Sequence, residues 1–250
     1  MSYTVTLVNY INTYPYIEAL EGKVHEFHVI SKIPKACGQA FLEGKTDFAL
    51  VPVAFLPRFQ GDFKIIKDYG IACDGPVRTV KLLSNNSIDQ IEDVSLDMHS
   101  TTSVELIKII LEKYWNKDLI YKDIEFDNKQ LPKTSLMIGD KVFQHESKYN
   151  YQYDLGTIWK NKTGLPFVFA IWICKNTVPN EVVKSFEEHL RRGLDRIDQH
   201  ILKYQKIHPA IDIKTYLTEN IKYRLDQRFL EGMDKFFGLS SFKSRKYEFV

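Results

Sequence analysis

Four hydroxyl residues in a row, Ser100-Thr101-Thr102-Ser103, follow an apolar run that ends at Asp97 and open a helical pattern that reaches Trp115. The first turn of a helix exposes unpaired N–H groups and the positive end of its dipole. Hydroxyls added there make a cradle for a carboxylate or phosphate. Capping is the plainer reading, since Thr102 and Glu105 have capping-box spacing; a cap needs one hydroxyl, and four stand here. A second candidate is Asn12-Thr13-Tyr14-Pro15, directly after the alternating stretch Tyr3–Val8. A plain turn would use Asn-Gly or Pro-Asp-Gly, whereas this bend carries an amide, a hydroxyl and a phenol suited to meeting a ligand. In "DGPVRTVKLLS", Arg78 has the donor fork that pairs with carboxylates and Thr79 offers one hydroxyl; a turn with a solvated arginine is the alternative. Asp140, in "MIGD", stands at a strand end, where a carboxylate is either a cleft residue or a helix cap, and Asp154-Leu-Gly156 leads on to Trp159.

Other chemistries find no support. There is no Walker loop, no GxGxxG and no GxSxG elbow. His25 and His28 lie three apart in a stretch that alternates rather than winds, so no metal site is expected. Cys37, Cys73 and Cys174 are dispersed and odd in number, which fits small buried hydrophobes better than disulfides or thiol chemistry. With 34 basic and 32 acidic residues the balance points to neither a nucleic-acid nor a membrane partner. No run approaches the roughly 20 apolar residues that span a bilayer, and the N-terminus carries no basic, apolar leader pattern. A reducing cytoplasm is the expected compartment.

The elements that must position these residues alternate. Tyr3–Asn9 reads as a strand, Pro34–Gly44 as a helix and Phe48–Val53 as a buried strand. Val94–Asp97, Ser135–Ile138 and Pro166–Cys174 read as further strands, and Thr101–Trp115 as a helix. Beyond Pro179, Val183, Phe186, Leu190, Leu194, Ile197 and Ile201 give a long amphipathic helix, followed by helical patterns at Ile213–Arg224 and Asp226–Phe237. The tail "SSFKSRKYEFV" has no period. The aromatics Trp159, Phe167, Phe169 and Trp172 are expected in the core. βαβ alternation with a helical return and no linker predicts two α/β lobes, crossed near 85–97 and 170–180. The predicted lobes are 1–90 plus 178–250, and 91–177.

Taken in order, "NTYP", "GKTDFALVPV", "GPVRTV", "LDMHSTTS", "MIGD", "YDLGTIW" and "TGLPFVFAIW" resemble the chorismate dehydratase family of the futalosine route to menaquinone. The resemblance runs from Val8 to about Gly238, closing helices included. Two positions depart: Asn9 and Thr79 stand where the family usually has serine, and threonine keeps the hydroxyl. The resemblance implies a two-lobed fold like the type II periplasmic binding proteins, used without export. It implies loss of water from chorismate to give 3-[(1-carboxyvinyl)oxy]benzoate, with no metal or organic cofactor. Asn12 and Thr79 would then be catalytic, and Thr13, Tyr14, Arg78, Ser100, Thr101, Thr102, Asp140 and Asp154 would bind or shape the substrate site. Rival readings are a cytoplasmic small-carboxylate binding or sensing protein of the same fold, and the related 1,4-dihydroxy-6-naphthoate synthase, whose opening lacks the Asn-Thr-Tyr-Pro signature.

Overall fold

A computed structural model describes residues 2–21, 26–59, 61, 63–97, 100–124 and 131–242. His25, Met98, His99 and the tail beyond 242 lie outside the described residues. His28 is exposed on a strand.

Among the described residues two sheets form. In the first part of the chain come β1 (Tyr3–Leu7), α1 (Tyr14–Leu20), β2 (Phe27–Ser31), α2 (Pro34–Leu42), β3 (Phe48–Pro52) and β4 (Phe63–Cys73). The middle part holds β5 (Val80–Ser84), β6 (Asp93–Asp97), α3 (Thr102–Ile109), β7 (Ile120–Ile124), β8 (Thr134–Ile138), α4 (Lys141–His145), β9 (Tyr151–Asp154) and α5 (Leu155–Thr163). The chain then returns through β10 (Phe167–Lys175), α6 (Asn180–Asp195), α7 (Ile197–Ile207), α8 (Ile213–Thr215), β11 (Lys222–Arg224) and α9 (Gln227–Leu239). The first sheet has the order β11-β4-β10-β3-β1-β2 and the second β7-β6-β8-β5-β9.

Position in the sheet explains composition. β3 lies between β10 and β1 and β8 between β6 and β5. Both are buried along their whole length, as interior strands covered on two faces should be. The three cysteines are free and buried, and burial pushes the Cys37 and Cys174 thiols up to about 12. Trp159, Phe167, Phe169 and Trp172 are core residues as expected, 8% or less exposed.

The sheets also move the crossings. β5 pairs antiparallel with β8, Val80 opposite Ile138, and so belongs to the second sheet. β10 pairs with β3 and β4 at the centre of the first. The chain therefore crosses at 73–80 and 154–167, earlier than the expected 85–97 and 170–180. The apolar run after Thr79 cannot be assigned to either sheet until its partner is known. We place the lobe limits in these two connections rather than at 90 and 177.

Three helical expectations change. The long amphipathic helix divides at Arg196 into α6 and α7. The helix at 102 ends at Ile109 and continues as one wide turn over Ile110–Tyr114. The stretch expected as helix to Arg224 is helical only to Asn220. Its end becomes β11, with Tyr223 buried between the outward Lys222 and Arg224, and closes the open edge of β4.

The first lobe's core centres on Phe186 of α6. It is fully buried, stacked on Phe48 with ring centroids 4.2 Å apart, and edge-on to Trp172 at 5.0 Å. Phe186→Ala leaves a cavity among these rings and is expected to cost about 3–5 kcal/mol, read as a lower urea midpoint at unchanged slope.

Candidate functional site

Strand ends converge between the two sheets. β1 leads to Tyr10 and Asn12, β6 leads into Ser100 and α3, and β8 ends at Ile138, just before Gly139. Because β5 runs antiparallel to β8, its first residues sit beside the last of β8, and the Gly139 N–H donates to the Thr79 carbonyl at 2.9 Å. The result is a cavity enclosing about 640 Å³, part of it open to solvent. Its polar lining includes Tyr10, Asn12, Thr79, Ser100, Thr102 and Ser103, and its apolar wall includes Phe169. The N-terminal turns of two helices border it, α2 at Pro34 and α3 at Ser100–Ser103. No charged side chain is among the described lining residues.

The sequence candidates thus divide. Asn12, Thr79, Ser100 and Thr102 meet at the cavity. Thr79 is buried, and its hydroxyl lies 2.7 Å from that of Tyr216. Asn12 Oδ1 is buried with no partner among the described residues. Ser100 Oγ accepts from the Ser103 N–H at 3.3 Å, and Thr102 Oγ1 accepts from the Ala54 N–H at 3.2 Å. Ser100, rather than a Thr102–Glu105 box, therefore caps the helix start. Glu105 instead accepts from the Ser241 N–H at 2.5 Å.

The other candidates hold the frame. Thr13 donates to the Val8 and Tyr10 carbonyls, at 2.5 and 2.8 Å, and closes the bend that carries Asn12. Tyr14 packs on Tyr204 and meets His208 Nε2 at 3.1 Å. Thr101 is partly buried at the helix start, and its Oγ1 has no partner among the described residues. Asp140 accepts from the Ile11 N–H, both oxygens at 3.2 Å, and burial raises its carboxyl to about 6 while that N–H opposes the rise. Asp154 accepts from the N–H groups of Val77, Arg78 and Thr157 at 3.1, 2.8 and 3.0 Å. One carboxylate thus caps α5 and clamps the bend before Thr79. That bend forces Arg78 to φ 68°, a region unfavourable to a residue with a Cβ. The Arg78 guanidinium pairs with Glu146 at 3.2 Å, beside buried Lys81 at 2.5 Å, and borders a different cavity.

Two glycines allow the close approaches. A Cβ at Gly156 would stand 2.4 Å from the Gly75 carbonyl and 2.6 Å from Cys73 Sγ, pushing the Arg78 bend away from α5. Gly139 has φ +67°, and its Cβ would strike the Tyr10 ring at 2.9 Å. Sequence reasoning missed Tyr10, Gly139 and Tyr216. Tyr10 adjoins the bend that was singled out and Gly139 adjoins Asp140. Tyr216 lies 137 residues from Thr79, and no local pattern marks it.

This is a two-lobed fold of the periplasmic-binding-protein kind, with the cavity where the lobes face each other. Solved structures share it. A protein from Archaeoglobus fulgidus matches with TM-score 0.78 at 13% identity, over 95% of this chain and 96% of that one. The alkanesulfonate-binding protein SsuA of Xanthomonas axonopodis pv. citri, bound to MOPS, matches with TM-score 0.67 at 8% identity, over 97% and 94%. The family profile described as menaquinone biosynthesis matches residues 3–241, and the chain belongs to that family. Among curated proteins, the chorismate dehydratase of Thermus thermophilus is 26% identical, over 94% of this chain and 93% of its own length. Among the described residues no group of His, Cys, Asp and Glu is arranged to hold a metal ion, and no helix is long and apolar enough to cross a membrane.

Two variants test the carboxylates. Asp154→Ala removes three charge-assisted bonds and a cap, and is expected to cost about 2–4 kcal/mol in urea unfolding. Asp140 has a folded value above its unfolded one, so the folded state holds its proton more tightly. Its contribution to stability is present below about pH 4 and is lost as pH rises through about 6. Asp140→Asn should abolish that loss, on the order of 2–3 kcal/mol between those limits. Unfolding free energies of both proteins at pH 4 and pH 7, compared as a double difference, read it directly.

Proposed function

We propose that this chain is a chorismate dehydratase. It removes water from chorismate to give 3-[(1-carboxyvinyl)oxy]benzoate, acting in the cytoplasm on the futalosine route to menaquinone. The observation that carries the reading is the meeting of Asn12, Thr79 and the hydroxyl-rich start of α3 on one cavity, in a chain similar along nearly its whole length to the Thermus enzyme.

The substrate suits such a site. Chorismate is a dianion with a ring carboxylate and an enolpyruvyl carboxylate. Its C3 proton is vinylogous to the ring carboxylate, so removing it spreads charge over the diene and into that group. Departure of the C4 hydroxyl with a proton then gives a benzene ring and one water. Aromatisation drives the step, and the protein has to orient the molecule and stabilise developing charge. In this reading Ser100, Thr102 and the free N–H groups of α3 hold one carboxylate. Thr79 and the start of α2 face the other end of the molecule, and Asn12 orients the C4 hydroxyl. The base is a protein group or the substrate's own enolpyruvyl carboxylate. Asp140 and Asp154 act as backbone anchors, and Thr13, Tyr14, Arg78 and Thr101 support the walls.

Incubation of the purified protein with chorismate should yield the aromatic enolpyruvyl ether, detected by chromatography and mass; chorismate recovered intact removes the assignment. Asn12→Ala should lower kcat by about 100-fold with a small change in KM, and an unchanged kcat would take Asn12 out of the chemistry. Thr102→Val should weaken chorismate binding by about tenfold in calorimetry, the worth of about one hydrogen bond.

A further inference from the structure

The hydroxyls that line the cavity differ in what already occupies them. Thr79 Oγ1 meets Tyr216, Ser100 Oγ accepts from the Ser103 N–H, and Thr102 Oγ1 accepts from the Ala54 N–H. Two others have no hydrogen-bond partner among the described residues. One is Ser103 Oγ, in the first turn of α3, on a residue that lines the cavity and is 5% exposed. The other is the phenol of Tyr10, which lines the same cavity from the opposite lobe. Polar groups withdrawn from bulk water are costly unless a partner meets them. For these two the partner has to come from the contents of the cavity.

Tyr10 is fixed so that its hydroxyl end reaches across to the second lobe. Its N–H donates to Thr13 Oγ1 at 3.3 Å, and its carbonyl accepts from the Thr13 N–H and hydroxyl at 2.9 and 2.8 Å. Its ring occupies the space that a Cβ at Gly139 would need, since that atom would stand 2.9 Å from both Cε2 and Cζ, the carbon that bears the oxygen. Burial, then the Asp97 and Asp140 carboxylates of the second lobe, push the phenol's pKa up, so it stays a neutral donor. Both carboxylates are engaged elsewhere, Asp97 by Lys141 and Asp140 by the Ile11 N–H. Ser103 stands in the first turn of an eight-residue helix, where unpaired N–H groups and the dipole favour an anion. A carboxylate offers about four acceptor positions and takes several donors at once.

We propose that Tyr10 is a ligand-binding residue, and that its hydroxyl and that of Ser103, one from each lobe, donate to the same carboxylate of the bound molecule. That carboxylate joins the lobes through the ligand. The proposal rests on the dehydratase reading only for the identity of the acid, because any cyclic carboxylate that enters the cavity meets the same pair.

Benzoate, a ring with one carboxylate and nothing to eliminate, is the probe. Calorimetry should show it bound to the wild-type protein. Tyr10→Phe keeps the ring on Gly139 and should weaken benzoate by roughly 10–100-fold, the worth of a hydrogen bond to a charged group. Ser103→Ala should do the same. In the double variant the loss should fall short of the product of the single losses by at least about threefold, because both removed groups served one carboxylate. Urea midpoints close to that of the wild type separate lost binding from lost folding. A crystal structure with benzoate should place its carboxylate within about 3 Å of both hydroxyl oxygens. Unchanged affinity in Tyr10→Phe, or a carboxylate seated away from Tyr10, overturns the role of Tyr10. Losses that simply multiply overturn the shared carboxylate. A wild-type protein that takes up no benzoate overturns the assignment of a carboxylate to this pair. Where benzoate behaves as expected and chorismate is recovered intact, the dehydratase reading fails and the pairing of Tyr10 with Ser103 stands.

Discussion

The site depends on backbone N–H groups being held by carboxylates far away in sequence. Asp154 gathers three of them, two from the bend at Val77–Arg78 and one from its own helix. Without that anion, nothing local would keep Arg78 in the left-handed region, where a side chain is strained. Thr79 follows directly, and its carbonyl accepts from Gly139. The position of one hydroxyl at the cavity is therefore set by a residue on the far connection between the lobes. Gly156, two residues on, completes the constraint, because only a hydrogen in place of Cβ lets α5 come this close to the Gly75 carbonyl.

Asp140 does for the opposite bend what Asp154 does for this one. It fixes Ile11, next to Asn12, across 129 residues. Both carboxylates were expected to face the substrate, and both are engaged by backbone. This has an electrostatic consequence. A dianionic ligand beside two free carboxylates would suffer their repulsion in a medium of reduced dielectric. Both carboxylates are instead turned to backbone N–H groups, none of the described lining side chains is charged, and two helix N-termini stand at the rim, so the lining meets a ligand mainly with dipoles and hydroxyls. Dipoles already in place need little reorganisation when charge shifts within the ligand.

Much of this was legible along the chain, and the limits have physical causes. The stretches read as buried strands at Phe48–Val53 and Ser135–Ile138 became the interior strands β3 and β8, since short, mostly apolar runs suit strands covered on both faces. The hydroxyl cluster at 100–103 marked the start of a helix at the cavity. Sheet membership was harder, because hydrogen bonding to a neighbour is not written in a strand's own composition. β5 reads like any apolar run, and only pairing with β8 takes it to the second sheet. β11 failed for the same reason. Its alternation is three residues long, and the open edge of β4 makes it a strand. At Asp140 the sequence leaves a cleft residue and a helix cap both open, because composition does not say whether a carboxylate faces a ligand or a backbone amide.

Contacts across the lobes use the groups that build the cavity. The Ala54 N–H meets Thr102 Oγ1, the Ile11 N–H meets Asp140, and the Thr79 and Tyr216 hydroxyls meet each other. Each hydrogen bond is worth only about 1 kcal/mol net, because the separated groups would bond to water instead. Such contacts are too weak to weld the lobes, yet they are directional. Bringing the lobes together therefore does two things at once: it excludes water from the apolar wall around Phe169, and it orients Thr102, Asn12 and Thr79. Closure and assembly of the polar lining become a single event, and a ligand that bridges the two helix N-termini would favour it by contacting both lobes.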